Sequence, residues 1–495
     1  MKFWPRFSSR EWSFLICLVI LYFASRLYHL TALPIFVDEA IYSRWAQISL
    51  HDASWRFISL TDGKQPLFIW ISMATLKYLA DPLFATRLVS VISGLFTVLG
   101  LIYAGHLLGS KKLGFLAAYL SLITPFLFFY DRFAVVESML TASGVWLFNL
   151  GFLLISTARL DVALILGLFG GLALLVKSPA LIYLLLIPLS YPFLVKSSEL
   201  WHRRTLKFLL YLLLAYFLAA AIYNIQRLSP WMHMIGDKNN DFVISPLTML
   251  LEHPYRIWQN FADAQSWLWS YLTLPLYGLS ILGGLWLLKS DWRRFFVVSA
   301  WFWGPLLATV LSAMLFRPRY IVFAVPFMLF YGAYALVKLP RKFLLPVLLT
   351  LTIWPTWFMY QSWTNPLHMP LVRADFDYVS GWASGNGVKE ISAWLVARSL
   401  QVNQSLDVYT EGTFGLLPHG VELYTADRTK KLQISGIYPI RDIPPLAVRQ
   451  NAEKNSETYF ILNNTQVKSL PPNSEEILAF PKADQSYIRL YRISP

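Results

Sequence analysis

Apolar stretches long enough to cross a bilayer recur along this chain, and no other feature limits its fold so strongly. A spanning helix takes about 20 apolar residues, with a range of about 17–25. Runs of that kind sit near residues 12–33, 85–108, 113–130, 138–157, 161–177, 179–195, 207–227, 267–288, 295–315, 320–337 and 343–361, about eleven in all. The 495 residues are 56% hydrophobic and only 14% charged. A soluble domain carries about 25% charged residues, so water is not the solvent for most of this surface. The fold class expected is an α-helical polytopic membrane protein of about eleven transmembrane helices with a small α/β C-terminal extracytoplasmic domain.

Charge orients the chain. The net charge is +14, which in a soluble protein would suggest nucleic acid. Here the cations sit at the ends of apolar runs, and no nucleic-acid partner is expected. The first run, about Trp12 to Leu33, exceeds a signal-peptide core of about 7–15 residues and reads as a retained first span. Pro66–Leu79, about 14 residues, is too short to cross and reads as an interfacial helix. With the N-terminus inside, the cytoplasmic connections carry Lys2, Arg6 and Arg10; Lys111 and Lys112; Arg159; Lys196, Arg203, Arg204 and Lys207; Lys289, Arg293 and Arg294; and Lys338, Arg341 and Lys342. Every inner connection then has a cation, as the positive-inside rule requires. The single cysteine, Cys17, excludes an intrachain disulfide and a multi-cysteine metal site.

The domain plan follows. Residues 1–364 form the membrane domain, with outer loops at about 34–84 and 228–266, and residues 365–495 form the extracytoplasmic domain. In the latter, Val388–Leu400 reads as a helix, while Ser405–Thr410, Thr458–Leu462 and Ser486–Arg492 alternate like strands. Tyr409-Thr410-Glu411-Gly412-Thr413-Phe414-Gly415 reads as strand, turn and helix, with glycines too sparse for a dinucleotide fingerprint. Those glycines build a turn or contact an acceptor.

Ionisable groups near the hydrocarbon are expensive and mark function by default. They collect at the outer span ends. Asp38-Glu39 follows the first span, Gly63-Lys64-Gln65-Pro66 opens the interfacial helix, and Asp131-Arg132 and Glu137 top the third and fourth spans. Lys177 turns a hairpin, and Arg317, Arg319 and Tyr320 join the ninth and tenth spans. Each has a plain structural reading. Asp38-Glu39 can cap a helix starting at Ala40, lysines snorkel, and Asp131-Arg132 can pair locally. Two arginines on the outer side fit the positive-inside tendency least. Taken together they bring acids and bases from several spans to one surface. Carboxylates there can serve as a general base or metal ligands, and the cations can hold a phosphate.

Over roughly residues 12–340 the chain resembles the C-type membrane glycosyltransferases that use lipid-phosphate sugars. It is most similar to the protein O-mannosyltransferase and lipid A aminoarabinose transferase group. The resemblance rests on Asp38-Glu39, Lys64-Gln65-Pro66-Leu67, Ala85-Thr86-Arg87-Leu88, Gly109-Ser110-Lys111-Lys112, Thr124-Pro125-Phe126 with Tyr130-Asp131-Arg132 and Glu137, Lys177-Ser178-Pro179, and Arg319-Tyr320. It implies a sugar donor on a polyprenyl monophosphate, an outer hydroxyl acceptor on protein, lipid or glycan, and transfer with inversion. It implies Asp38 as the general base, with Glu39 orienting it or binding sugar or helix amides, and Lys64 at the donor phosphate. Arg317, Arg319 and Lys177 join the phosphate set, with Arg132, Asp131, Glu137, Tyr320 and Tyr42 supporting, Glu137 either as a partner behind the site or through an ion pair with an arginine. The second residue of the family's Pro-Pro pair is kept as Pro66, but the first is Gln65. In aminoarabinose transferases a carboxylate can precede the lysine and join a metal site. Here Gly63 stands there with Asp62 one residue earlier, so a divalent metal, if present, would draw on Asp38 and Asp62. The alternative is a multi-span transporter or flippase of lipid-linked or small polar solutes. That reading calls for repeated halves and broken midplane helices, and neither is visible in the sequence.

Overall fold

The computed structural model describes residues 6–195, 201–454, 457–463 and 472–494. Lys2 and Lys196, counted above among the inner cations, lie outside them. The described chain is mainly helical: α1 Ser9–Leu27, α2 Val37–His51, α3 Leu67–Tyr78, α4 Pro82–Leu107, α5 Lys111–Ile123, α6 Pro125–Asp131, α7 Glu137–Thr157, α8 Leu160–Val176, α9 Ala180–Leu194 and α10 Trp201–Tyr223. There follow α11 Met234–Phe242, α12 Pro246–Glu252, α13 Pro254–Leu272, α14 Leu274–Ser290, α15 Trp292–Val310, α16 Val325–Lys338, α17 Arg341–Thr364, α18 Val388–Gln401, α19 Leu416–Thr425 and α20 Leu446–Lys454. Seven strands complete the inventory: β1 Ile35–Phe36, β2 Ser384–Gly385, β3 Leu406–Glu411, β4 Leu432–Ile437, β5 Thr458–Leu462, β6 Ser474–Pro481 and β7 Tyr487–Ile493.

The chain is a multi-pass membrane protein. Among the described residues α4, α7, α10 with its 3₁₀ extension, and α17 are long and apolar enough to span, and two bent helix pairs raise the number to six. The eleven apolar runs do not all become long helices, for local reasons. Thr124-Pro125 splits the run 113–130 into α5 and α6, bent by 65°. Proline lacks the amide that would continue the helix, and here it stands in the first turn of α6. The run 267–288 is likewise broken. At Thr273 φ is 72°, and α13 and α14 meet at 110°. Broken helices are therefore present, contrary to the expectation from sequence. In α1, nineteen residues include Arg10, Glu11 and Arg26. The helices α3, α8, α9 and α16 are apolar but short.

The chain divides into two compact units. The first comprises Met1–Tyr28, Ser54–Ile71 and Leu88–Met359. Its helices pack as α8 on α10, α14 on α16, α5 on α16, α9 on α15 and α7 on α8. A β-carbon at Gly283 would collide with the Tyr331 carbonyl, so glycine sets the α14–α16 approach.

The second unit comprises His29–Ala53, Ser72–Arg87 and Tyr360–Pro495. Compactness thus groups the C-terminal residues with two earlier stretches, one of which holds Asp38 and Glu39. Its five-stranded sheet has the order β4-β3-β5-β7-β6. The first three strands are parallel, and β7 and β6 add antiparallel. All five residues of β5 are buried, as befits a parallel strand covered on both faces. A second, two-residue ribbon pairs Ile35 with Gly385 and Phe36 with Ser384.

Candidate active site

Asp38 and Glu39 owe their positions to that ribbon. Phe36 is extended (φ −90°, ψ 154°), and Val37 N–H donates to the Ala383 carbonyl at 2.9 Å. The helix α2 then starts at Val37, three residues before the Ala40 expected. Both acids lie inside its first turn, where carboxylates complement the helix dipole. The Glu39 carboxylate accepts the Phe36 N–H at 2.9 Å. Arg87 grips it with two bonds, Nε to Oε1 at 2.8 Å and Nη2 to Oε2 at 2.7 Å. The same guanidinium donates to the carbonyls of Leu30 at 2.8 Å, Leu33 at 3.1 Å and Pro34 at 3.0 Å. Both side chains are wholly buried. Of the roles expected for Glu39, the geometry matches the binding of helix amides: it fixes the turn that carries Asp38. Asp38 itself is partly exposed. Tyr42, one turn on, is buried with its ring 6.0 Å from Trp45.

The expected phosphate set lies in the first unit. Lys64 Nζ is 3.1 Å from Asp62 Oδ2, and Lys238 Nζ is 3.2 Å from Asp62 Oδ1. Gly63 has φ +67°, and a β-carbon there would collide with the Met234 carbonyl and the Lys238 side chain. A carboxylate cannot stand at that position. Asp62 is held between two lysines, and among the described residues no three His, Cys, Asp or Glu side chains gather to hold a metal. The donors present therefore do not form a cation site around Asp62.

Lys177 caps the end of α8 in an extended conformation (φ −166°, ψ 144°). Its Nζ lies 2.9 Å from Glu137 Oε1 and 5.0 Å from the centre of the Tyr320 ring. The Arg319 guanidinium carbon lies 5.2 Å from the same ring centre, and Nη2 donates to the Tyr320 hydroxyl at 3.3 Å. Gln65 Nε2 donates to Ser178 Oγ at 2.7 Å, tying the Lys64-Gln65 segment to the Lys177-Ser178 hairpin. Arg317 precedes the 3₁₀ turn Pro318–Tyr320, and its carbonyl accepts the Tyr320 N–H at 3.0 Å. Lys177, Arg317, Arg319 and Tyr320 are all partly exposed. Of the two roles expected for Glu137, the ion pair is made with a lysine, Lys177, and not with an arginine. Gln65 thereby supplies a side-chain bond that a proline could not make.

Asp131 and Arg132 join a separate buried network. Asp131 accepts from Tyr22 OH at 3.1 Å, from Ser138 Oγ at 2.9 Å and from Arg26 Nε at 3.4 Å. Arg26 Nη1 donates to the Leu122 carbonyl at 2.7 Å. Arg132 Nη1 donates to the carbonyls of Ser25 at 3.2 Å, Arg26 at 2.8 Å and Tyr28 at 2.9 Å, closing the C-terminal end of α1. These residues fasten α1 to α5, α6 and α7. Arg26 and Arg87 were not among the candidates, although an arginine inside an apolar run is a signal in its own right.

The fold so built is that of the C-type membrane glycosyltransferases. The chain aligns with crystal structures of the lipid A aminoarabinose transferase ArnT from Cupriavidus metallidurans at 13% identity and a TM-score of 0.62. The alignment covers 98% of this chain and 98% of the apo structure, or 99% of the structure bound to undecaprenyl phosphate. It also aligns with the archaeal oligosaccharyltransferase AglB from Archaeoglobus fulgidus, in complex with an inhibitory peptide and a dolichol-phosphate. That match has 12% identity and a TM-score of 0.52, over 92% of this chain and 69% of the other. No family model matches the sequence. No curated protein matches it either.

Proposed function

We propose that the protein is an integral-membrane glycosyltransferase. It transfers a hexosyl or pentosyl group, with inversion, from a polyprenyl-phosphate donor to an extracytoplasmic hydroxyl on protein, lipid or glycan. The observation that carries this reading is the pair of partly exposed cations, Lys177 and Arg319, flanking the Tyr320 ring, in a fold shared with a structure bound to undecaprenyl phosphate. The acceptor oxygen attacks the anomeric carbon and forms the new C–O bond as the bond to the phosphate oxygen breaks. The hydroxyl proton passes to the Asp38 carboxylate, and polyprenyl monophosphate leaves with the bonding electrons. Phosphate is a good leaving group, so cations suffice where charge develops, and Lys64, Lys177, Arg317 and Arg319 fill that role. Glu39 and Arg87 act through the backbone that presents Asp38.

In this reading residues 1–364 form the membrane domain, with a cytoplasmic N-terminus, and residues 365–495 lie outside the cytoplasm. The test is reconstitution of the full-length chain in nanodiscs with polyprenyl-phosphate sugars, followed by mass spectrometry. Consumption of the donor with a new glycoconjugate supports the reading. The bends at Thr124 and Thr273 favour a second reading, a transporter or flippase of lipid-linked or small polar solutes. Movement of solute with no covalent product would establish that one instead.

A further inference from the structure

Lys64 shares its carboxylate partner with a lysine from a distant part of the chain. The 3₁₀ turn Ile58–Asp62 ends at Gly63, whose N–H donates to the Leu60 carbonyl at 3.0 Å. The Lys64 N–H donates to the Ser59 carbonyl at 2.9 Å. This left-handed turn sets Asp62 and Lys64 side by side, and glycine takes its φ of +67° without steric cost. Lys64 Nζ lies 3.1 Å from Asp62 Oδ2, and Lys238 Nζ lies 3.2 Å from Asp62 Oδ1. Each carboxylate oxygen thus faces its own ammonium. The side chains of Asp62, Lys64 and Lys238 are 20%, 26% and 33% exposed, so a ligand can reach the cluster.

The helix that carries Lys238 is fastened on two sides. α11 packs on the 3₁₀ turn Ile58–Asp62, so closely that a β-carbon at Gly63 would collide with it. Just past the end of α11, Val243 forms an antiparallel bridge with Ala313. The Ile244 N–H donates to the Ser312 carbonyl at 2.9 Å, and the Met314 N–H donates to the Phe242 carbonyl at 2.8 Å. Arg256 Nη1 adds a bond to the Met314 carbonyl at 2.9 Å. Met314 stands three residues before Arg317. α11 therefore ties the turn that bears Lys64 to the segment that runs into Arg317 and Arg319. The other acid near Lys238, Asp241, is 3.8 Å away and 65% exposed, where solvent and salt weaken its pull.

We propose that Lys238 is a positioning residue that acts through Asp62: by sharing that carboxylate, it leaves the Lys64 ammonium able to turn to the phosphate of the lipid donor. The inference rests on the glycosyltransferase reading, in which Lys64 meets that phosphate, and adds a residue to it. Asp62 and Lys64 alone would form a neutral pair, and an incoming phosphate would compete with the carboxylate for the ammonium. With Lys238 on the second oxygen, the three side chains carry one net positive charge. An ion pair at this exposure is weak, so Lys64 can exchange carboxylate for phosphate. Lys238 then keeps Asp62 paired, and the acid is not left to repel the donor.

The experiment titrates undecaprenyl phosphate into nanodiscs holding the full-length chain and reads its Kd by native mass spectrometry. The same nanodiscs, given undecaprenyl-phosphate hexoses and pentoses, report donor KM and kcat. Lys238→Met should raise Kd and KM about three- to tenfold, the scale of a charge acting across a partly solvated cluster, with kcat and thermal unfolding unchanged. Lys238→Arg keeps the charge and should behave like wild type. Asp62→Asn added to Lys238→Met restores the net charge, and both constants should return to within about twofold of wild type. A bridge that only held α11 in place would be lost in the double variant as well, so a double variant as weak as Lys238→Met overturns the proposal. It is also overturned if Lys238→Met binds like wild type, if kcat falls in place of affinity, if Lys238→Arg fails as badly as Lys238→Met, or if wild type binds no undecaprenyl phosphate. The expected order of Kd values in a chain that transfers no sugar would uphold the role of Lys238 and sink the transferase reading.

Discussion

Two carboxylate–cation pairs, one in each compact unit, show how differently the same chemistry can be used. In Glu39–Arg87 both side chains are 0% exposed, and the guanidinium spends its donors on one carboxylate and three carbonyls. In Glu137–Lys177 the carboxylate is buried at 3% while the lysine remains 25% exposed. The first pair is closed, and its arginine has the planar fork that a bidentate grip needs. The second is open, and its lysine is a point charge left partly exposed to solvent. A closed pair fixes backbone, whereas an open one leaves a cation available to a ligand.

Breaking the closed pair should have the largest effect on stability. Glu39→Gln or Arg87→Ala leaves a buried charge without its partner, a loss of about 3–5 kcal/mol. Thermal unfolding in detergent should show it, and an equally stable variant would mean that the pair does not hold the Asp38 turn. Another buried cation, in the second unit, sharpens the contrast. Lys482 is 3% exposed, and its neighbours Asp484 and Glu411 do not offset burial, which pushes its pKa down to about 8. The unfolded chain binds that proton up to about pH 10.4, and the folded chain releases it from about pH 8. Between these values the unfolded state holds more protons, so stability rises with pH. The rise is on the order of 3 kcal/mol or less. Chemical denaturation from pH 7.5 to 10.5 should show the gain in wild type and lose it in Lys482→Met.

The open pair should respond in donor affinity instead. Lys177→Met combined with Glu137→Gln removes the cation without stranding the acid. A charge-assisted bond contributes about 1.5–3 kcal/mol, so the apparent KM for the donor should rise about 10–100-fold with unfolding little changed. An unchanged KM would make Lys177 purely structural. Arg319→Lys should have the smallest effect, about 2–5-fold on donor KM, since charge is kept and only the stacking on Tyr320, about 0.5–1 kcal/mol, is lost.

The same contrast explains what the sequence discloses. Composition and apolar runs point to a helical membrane protein, and the strand patterns at 405–410 and 458–462 lie where β3 and β5 form. The first outer loop draws attention to Asp38-Glu39. Periodicity is blind to pairing at a distance. Arg87 reaches Glu39 across 48 positions, and only the cost of placing an arginine in an apolar helix hints that a partner exists. The bend at Thr124 follows from Pro125, a residue plain in the sequence but equally compatible with a first turn or a kink. The bend at Thr273 depends on a positive φ that threonine rarely adopts. Glu137 has basic candidates on both sides, and only the extended backbone at Lys177 selects among them.

The central claim is that Asp38 takes the acceptor proton. Its most direct test is mass spectrometry of polyprenyl-phosphate sugars and their products in membranes making wild type, Asp38→Asn or no protein. Product should fall by about 10²–10⁴ in Asp38→Asn, with donor accumulating as in the membranes lacking the protein and with the variant inserted and folded like wild type. Donor consumption by Asp38→Asn at the wild-type rate would contradict the account.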